Sequence, residues 1–281
     1  MGLRVNTNVA SLNAQRHLYD TTSRFGKSME RLSSGLRINR SGDDAAGLAI
    51  SESLKSDIRA LQQASRNAAD GISLVQTAEG SLDEVNSILL RLRELAEQAA
   101  TETLGAEERV YLNNEFQELL DEVNRISNTA EFNGIKLLDG TAQTLRVQVG
   151  IGTDANTSAV SIDLTQAMSA DALDLTAGVV QITGTNGSAA RAAIGLITTA
   201  TGVVSSMRAN FGAAQNRFET SIRNIGMTAE NLSAANSRIR DVDVALETSN
   251  MTSLQILQQA GVAILAQANQ TSQLALNLLQ G

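Results

Sequence analysis

The C-terminal 34 residues, 248–281, read TSNMTSLQILQQAGVAILAQANQTSQLALNLLQG and contain no Asp, Glu, Lys, Arg or His. Gln, Asn, Ser and Thr supply 16 of these residues. A membrane-spanning helix needs about 20 predominantly apolar residues in succession. The longest apolar run here is Ala260–Ala266, so the segment is not predicted to span a membrane.

A helical repeat runs through this uncharged segment. The repeat predicts one long helix that can be buried on several sides without placing an unpaired charge away from water. Burial inside its own chain and burial against copies of the chain both satisfy this pattern, and we favour the second. Spacings of three and four, typical of a coiled-coil seam, connect Leu254, Leu257, Gly261, Ile264, Ala268, Thr271, Ala275 and Leu278.

The N-terminal 42 residues carry a matching but less regular repeat, so the two ends are predicted to pair. This region has a net charge of +5, residues 43–247 have −13, and the tail has none. The basic region lacks an aromatic stacking platform and a DNA-binding motif, so we expect no nucleic acid partner. The apolar members of the repeat are Val5, Val9, Leu12, Tyr19, Met29, Leu32 and Leu36.

The middle of the chain predicts a helical bundle with a small β element. Helices are expected over 44–100, 105–129 and 190–237, with Thr103 as the cap of the second. The stretch TLRVQVGIGTDANTSAVSIDL, 144–164, alternates by twos and predicts a β-hairpin with a long turn, and residues 166–188 are expected to be irregular.

The predicted fold is therefore mainly α, a long coiled-coil-like bundle with a small β-hairpin region and discontinuous domains built from both chain ends. Three parts are expected: a terminal-helix inner domain over 1–42 plus 243–281, an outer helical bundle over 43–145 plus 190–242, and a β-hairpin and irregular segment over 141–189.

Catalytic chemistry is not indicated by the sequence. The chain has no Cys and a single histidine, His17, and GIGTDA at 150–155 precedes a predicted strand instead of a phosphate-binding helix. The pairs Asp43/Asp44 and Asp241/Asp243 precede helices and are expected to cap them instead of binding a metal. We expect neither enzyme activity nor a cofactor, and the first residues lack the apolar core of a cleavable signal peptide.

Four stretches resemble bacterial flagellin. They are VNTNVASLNAQRHL (5–18), RLSSGLRINRSGDDAAGLAIS (31–51), AEFNGIKLLDG (130–140) and NLSAANSRIRDVDVALETSNM (231–251). The similar regions cover about 1–150 and 190–281. The short segment between them resembles a flagellin without extra variable outer domains.

The resemblance implies a structural subunit that is exported unfolded by a type III apparatus and assembles into the extracellular flagellar filament for swimming. Its terminal helices would fold on polymerisation. The implied partners are other copies of the chain, a cytosolic export chaperone at the C-terminal helix, and the filament cap and hook-associated proteins. The expected self-assembly seam is Val5, Val9, Leu12, Leu254, Leu257, Ile264, Ala268 and Leu278.

The resemblance also implies a possible host partner. LLRLRELAEQ, 89–98, is similar to the segment that Toll-like receptor 5 binds in flagellins, with Arg91, Leu95 and Glu115 at matched positions. The structural alternative is that these residues contact neighbouring subunits. One alternative function is a hook–filament junction protein of the same secretion class. A flagellin with a catalytic insert is a second alternative, but the short 150–190 segment leaves no room for such an insert.

Overall fold

The structure is a computed structural model that describes the backbone of residues 7–280 and the side chains of residues 7–154 and 156–270. Within that part, long helices dominate, as predicted. The helices are α1 (Val9–Ser34), α2 (Ala45–Ala100), α3 (Ala106–Thr129), α4 (Ala155–Ser158), α5 (Ser188–Arg240) and α6 (Val244–Gln280), with a 3-10 turn at Asp171–Leu173. The strands are β1 (Glu131–Phe132), β2 (Ile135–Lys136), β3 (Leu145–Gln148) and β4 (Ala159–Ile162).

The chain divides into two compact units. Unit 1 comprises Met1–Ser56 and Asn231–Gly281, and unit 2 comprises Asp57–Glu230. These divisions fall inside α2 and α5, whereas the domain limits expected from the sequence lie near residues 42 and 242. Helix periodicity continues through each division, so the sequence pattern carries no signal there.

Unit 2 contains the hydrophobic core. Residues at the predicted seam of α2 are fully buried, and they pack with α3 and α5 residues of the same three-four spacing. The α2 seam consists of Leu82, Val85, Leu89, Leu92, Ala96 and Ala99, and the buried α5 residues include Ile197, Val204, Phe211 and Phe218. The predicted cap of α3 is wrong: α3 begins after Gly105, which makes no side-chain cap bond, and not after Thr103.

The predicted hairpin is present as the antiparallel pair β3–β4. Leu145 pairs with Ile162 and Val147 with Val160, so the alternating apolar residues meet across the strands. The expectation that GIGTDA leads directly into a strand is wrong. The single-turn helix α4, which begins at the last residue of GIGTDA, precedes β4. Asp154 caps this turn through the Asn156 backbone N–H at 2.9 Å, which uses the carboxylate locally.

The irregular segment 170–184 lies against α3, held mainly through its backbone. Three α3 side chains form these bonds. Asn124 accepts from Ala170 N at 2.8 Å, and Asn113 accepts from Ile182 N at 3.0 Å. Gln117 accepts from Gly178 N at 2.6 Å and donates to Val180 O at 2.8 Å. Side-chain amides thus supply hydrogen-bond partners for backbone groups of a segment that lies outside any helix ladder or sheet.

Candidate assembly surface on the terminal helices

Unit 1 pairs α1 with α6 in antiparallel fashion, which confirms that the two chain ends come together. Asn8 Nδ2 donates to Ala268 O at 2.8 Å, and Ser11 Oγ donates to Asn269 Oδ1 at 3.0 Å. Further along, a Cβ at Gly261 would lie 3.3 Å from Leu18 Cδ1, so this glycine permits close approach of the two helices.

The facing sides of these helices are built mostly from small and polar residues. Only Ser11 and Ser28 are buried on α1. Partly buried side chains continue the stripe at three-four spacing on each helix. They are Ala14, Leu18, Thr21 and Phe25 on α1, and Met251, Leu254, Gln258, Gly261, Leu265 and Ala268 on α6.

Bulky apolar side chains lie on the exposed sides of both helices. Tyr19 is 77% exposed, and Leu246, Ile256 and Ile264 are each 61% exposed. α1 therefore has an inverted pattern: two serines are its buried residues, Val9, Leu12 and Tyr19 are more than half exposed, and Leu18 and Phe25 are only partly buried. Among the described side chains of the two helices, the exposed set is Val9, Leu12, Tyr19, Met29, Val244, Leu246, Ile256, Leu257, Val262 and Ile264.

The sequence-predicted seam divides between the two sides. Leu254 and Ala268 are partly buried, whereas Val9, Leu12, Leu257 and Ile264 are more than half exposed. Val5 and the Leu278 side chain lie outside the described residues. Within the chain, the partly buried α6 stripe uses Gln258 and Leu265, each one position beyond the predicted Leu257 and Ile264. Their role in self-assembly stays a prediction.

A polar cluster closes the charged end of α6. Ser28 Oγ donates to Glu247 Oε1, and both residues are buried. Arg31 Nη1 lies 3.8 Å from Glu247 Oε2, which offsets the buried negative charge. Glu247 is the last charged residue of the chain, so the uncharged tail begins immediately after this cluster.

Two of the four aspartates that were predicted to cap helices do so, one at the start of α2 and one at the start of α6. Asp44 Oδ1 accepts from Gly47 N at 2.9 Å, and Asp243 Oδ1 accepts from Leu246 N at 3.0 Å, as helix caps do. Asp43 does not cap a helix but accepts hydrogen bonds from residues that precede it in the chain. Lys27 and the backbone N–H groups of Arg40 and Asn39 donate to its carboxylate, which lowers the pKa of the Asp43 carboxyl to about 2.

Asp241 also departs from the capping prediction. Its carboxylate accepts from Ser237 Oγ at 2.6 Å, within the last turn of α5. Its backbone pairs with Leu36 in an antiparallel bridge, and Val242 N donates to Gly35 O at 3.0 Å. This bridge joins the segment that follows α1 to the segment that leads into α6.

The receptor-like residues occupy two environments in unit 2. Arg91 Nη2 lies 2.8 Å from Glu115 Oε1, and both side chains are about half exposed, at 50% and 46%. Leu95 is only 1% exposed and belongs to the hydrophobic core, so this position is not on the surface that Arg91 and Glu115 form. The predicted three-residue contact surface is therefore reduced to the exposed ion pair, and receptor binding stays a prediction.

The described residues contain neither a candidate metal site nor a membrane-spanning helix. No group of three or more His, Cys, Asp or Glu side chains is placed to hold a metal ion. None of the described helices combines the length and apolar character that crossing a bilayer requires.

Comparison with known proteins agrees with this architecture. Residues 5–143 match the model of the bacterial flagellin N-terminal helical region, and residues 194–279 match that of the bacterial flagellin C-terminal helical region. A flagellin of Halalkalibacterium halodurans is 49% identical, with 98% of this chain and 99% of that protein covered. A flagellin of Bacillus subtilis is 43% identical, with 99% and 100% covered.

A third relative, the flagellar filament 33 kDa core protein of Treponema phagedenis, is 42% identical, with 98% of this chain and 99% of that protein covered. The matches include both helical ends and nearly the full length of each relative. The chain belongs to the bacterial flagellin family.

Proposed function

We propose that this chain is a structural subunit of the flagellar filament and polymerises through the exposed apolar sides of α1 and α6. The inverted pattern of α1 carries the proposal, since no described residue of unit 1 covers Val9, Leu12 or Tyr19. Contiguous exposed apolar residues on a soluble protein indicate an interaction surface. The Treponema phagedenis relative is itself named as a filament core protein.

A copy of the chain is the occupant that best suits this surface. The α6 sequence after Glu247 has no charge, so neighbouring copies can surround it without burying an unpaired ion. Its amide side chains can exchange hydrogen bonds with water for hydrogen bonds with the neighbours. The flagellin family is a family of structural proteins, and the chain is not an enzyme.

Folding on assembly follows from the same observation. Because the α1–α6 contact buries few large apolar side chains, each terminal helix depends on further burial by neighbours for stability. In the proposed cycle the chain is exported unfolded, and the terminal helices become ordered when sister subunits surround them. The expected location is the extracellular filament.

Additional partners are part of the proposal. We place the export chaperone on the exposed apolar face of α6, which self-associates if left uncovered. The filament cap and hook-associated proteins would contact the terminal helices at the ends of the filament. Toll-like receptor 5 would engage the exposed Arg91–Glu115 pair, while Leu95 supports it from the core.

Substitution of Ile264 by Asp tests the proposed surface. Burial of an isoleucine stabilises by about 2 kcal/mol, so losing this contact and burying a carboxylate should raise the critical concentration for polymerisation at least about tenfold. Critical concentration is measured by sedimentation, with electron microscopy of the pellet. Val179→Asp, at a 77% exposed position in unit 2, is the control and should polymerise like the unaltered chain.

Equal polymerisation of Ile264→Asp and Val179→Asp would contradict the proposed surface. The hook–filament junction alternative predicts a different result for the unaltered chain: short capped oligomers instead of long fibres. Full-length similarity to flagellins favours the filament subunit.

A further inference from the structure

A groove with a volume of about 340 Å³ opens between α1 and α6 beside the Glu247 cluster. One wall carries Arg24, Lys27 and Arg31, whose spacing of three and four places them on one face of α1. The other wall carries Asn250 and Ser253 of α6 together with the Glu247 carboxylate and Leu254. Proton donors therefore line both sides of the opening.

The positive charge in this groove is only partly compensated. Lys27 Nζ is paired with Asp43 at 2.6 Å, but Arg31 lies 3.8 Å from Glu247, beyond hydrogen-bonding distance. Arg31 Nε is buried and has no acceptor among the described residues. Arg24 is exposed and forms no ion pair within the described part of the chain.

The chain itself offers few carboxylates to complete this set. Residues 248–281 contain no acidic side chain, so no carboxylate follows Glu247 along α6. Glu247 already accepts a hydrogen bond from buried Ser28 and faces Arg31. The Arg31 side chain is 28% exposed and lines the groove, and its Nη1 lies too far from Glu247 for a hydrogen bond, so an external acceptor can complete its set of partners.

We infer that this groove binds an oxyanion through Arg24, Arg31, Asn250 and Ser253. The planar guanidinium groups match the paired oxygen atoms of a carboxylate or phosphate. The same chemistry is available from inorganic phosphate and from a carboxylate on a second copy of the chain. The inference rests on the proposed function only in that α1 and α6 must be folded against each other for the groove to exist.

Equilibrium dialysis of labelled inorganic phosphate against assembled full-length protein, at constant ionic strength, tests the site. The unaltered chain should show saturable binding. Arg24→Gln removes a cation without stranding Glu247 and should weaken binding about fivefold, as expected for one nearby charge in a partly screened site. Arg16→Gln removes an exposed arginine of α1 that does not line the groove and should leave binding unchanged.

The Glu247→Gln variant distinguishes an anion-binding groove from a polar cluster that only packs α1 against α6. The amide oxygen still accepts from Ser28, but the negative charge beside the groove is lost, so phosphate should bind several-fold more tightly. A role in packing alone predicts no gain in phosphate affinity.

Two results support the inference and distinguish the sources of the anion. Saturable phosphate binding with the stated changes assigns a free oxyanion. Absence of phosphate binding, with a higher critical concentration for Arg24→Gln than for Arg16→Gln, assigns the carboxylate of a second copy.

The inference is overturned if phosphate does not bind and the two arginine variants polymerise equally. It is also overturned if phosphate binding is unchanged in both Arg24→Gln and Glu247→Gln, because the ion then binds elsewhere. Normal filaments in either case leave the proposed function standing. If no filament forms, the proposed function fails, and with it the requirement that sister subunits order α1 and α6; dialysis of the soluble chain then decides the groove.

Discussion

At the scale of single residues, Arg109 connects three parts of unit 2. It is 1% exposed, and its Nε, Nη1 and Nη2 donate to Ala99 O at 2.9 Å, Gly184 O at 3.0 Å and Thr101 O at 2.8 Å. Carbonyl groups at the end of α2 lack intrahelical partners and carry the negative end of the helix dipole, so a buried cation is stabilised there. Sequence reasoning missed this residue because a buried arginine without a carboxylate partner leaves no pattern.

Substitution of Arg109 by Met should destabilise unit 2 by about 3 kcal/mol, since it leaves three carbonyl oxygens without their donor. Urea unfolding followed by circular dichroism measures the change. Arg125→Met is the control, because Arg125 is 60% exposed and its ion pair with Glu122 is screened by water. An Arg109→Met variant as stable as Arg125→Met would show that the three bonds contribute little.

Asp163 gives a pH-dependent prediction. Thr165 donates to Asp163 Oδ1 through its hydroxyl at 2.7 Å and its backbone N–H at 3.1 Å, which lowers the pKa of the Asp163 carboxyl. Because the folded pKa lies below the unfolded one, the stabilisation is complete above the unfolded value, near 3.8, and is lost as pH falls through the folded pKa.

Asp163→Asn should therefore be slightly less stable than the unaltered chain at pH 6, and the difference should shrink as pH falls below about 3.8. The loss is small because the carboxylate is exposed to solvent. Thermal unfolding of dilute protein at a series of pH values measures it. A difference that persists unchanged at pH 2 would place its cause outside the carboxylate charge.

At the scale of elements, two glycines of α2 show how helix spacing is determined. A Cβ at Gly71 would lie 2.8 Å from Cζ of the buried Phe218 ring on α5, so Gly71 permits the two helices to approach closely. A Cβ at Gly80 would meet no atom within 4 Å. Identical substitutions on one helix should therefore have opposite effects.

Gly71→Ala should destabilise unit 2 by about 1–3 kcal/mol, because Phe218 must move from a closely packed position. Gly80→Ala should stabilise it by about 0.5–1 kcal/mol, because alanine restricts the unfolded chain and favours helix. Both values come from urea unfolding under the same conditions. The packing explanation fails if the two variants change stability in the same direction.

Most elements were predictable from the sequence because local patterns determine them. Heptad spacing and the absence of proline predicted α2, α3 and α5 to within a few residues, and alternation predicted the β3–β4 pairing. The cap position of α3, Gly105, was missed because Thr103 had the right chemistry two residues too early. The bonds from Asn113, Gln117 and Asn124 to segment 170–184 join distant residues and leave no periodic signal.

The candidate site was only partly predictable. Apolar periodicity predicted that α1 and α6 have faces to bury and that the chain ends pair. It does not specify whether a face meets its own chain or another copy. Leu257 and Ile264, on the expected self-assembly seam, are exposed within the chain, and their role in assembly stays a prediction. Leu95 was placed on a surface by resemblance, whereas packing against the bundle buries it.

At the scale of the whole molecule, the two units differ in how completely they bury their large apolar residues. Unit 2 buries large residues from α2, α3 and α5 in a continuous core. Among the described residues, unit 1 fully buries Ile38 and small or polar side chains, whereas the large apolar residues of α1 and α6 are only partly buried or exposed. Unit 2 is therefore expected to fold alone, whereas the terminal helices need sister subunits.

Hydrogen exchange measured on the dilute subunit and on the filament tests this difference most directly. Amides of α2, α3 and α5 within unit 2 should be protected in both states. Amides of α1 and α6 should exchange rapidly in the dilute subunit and become protected by several orders of magnitude in the filament. Strong protection of α1 and α6 in the dilute, unassembled protein would contradict the account.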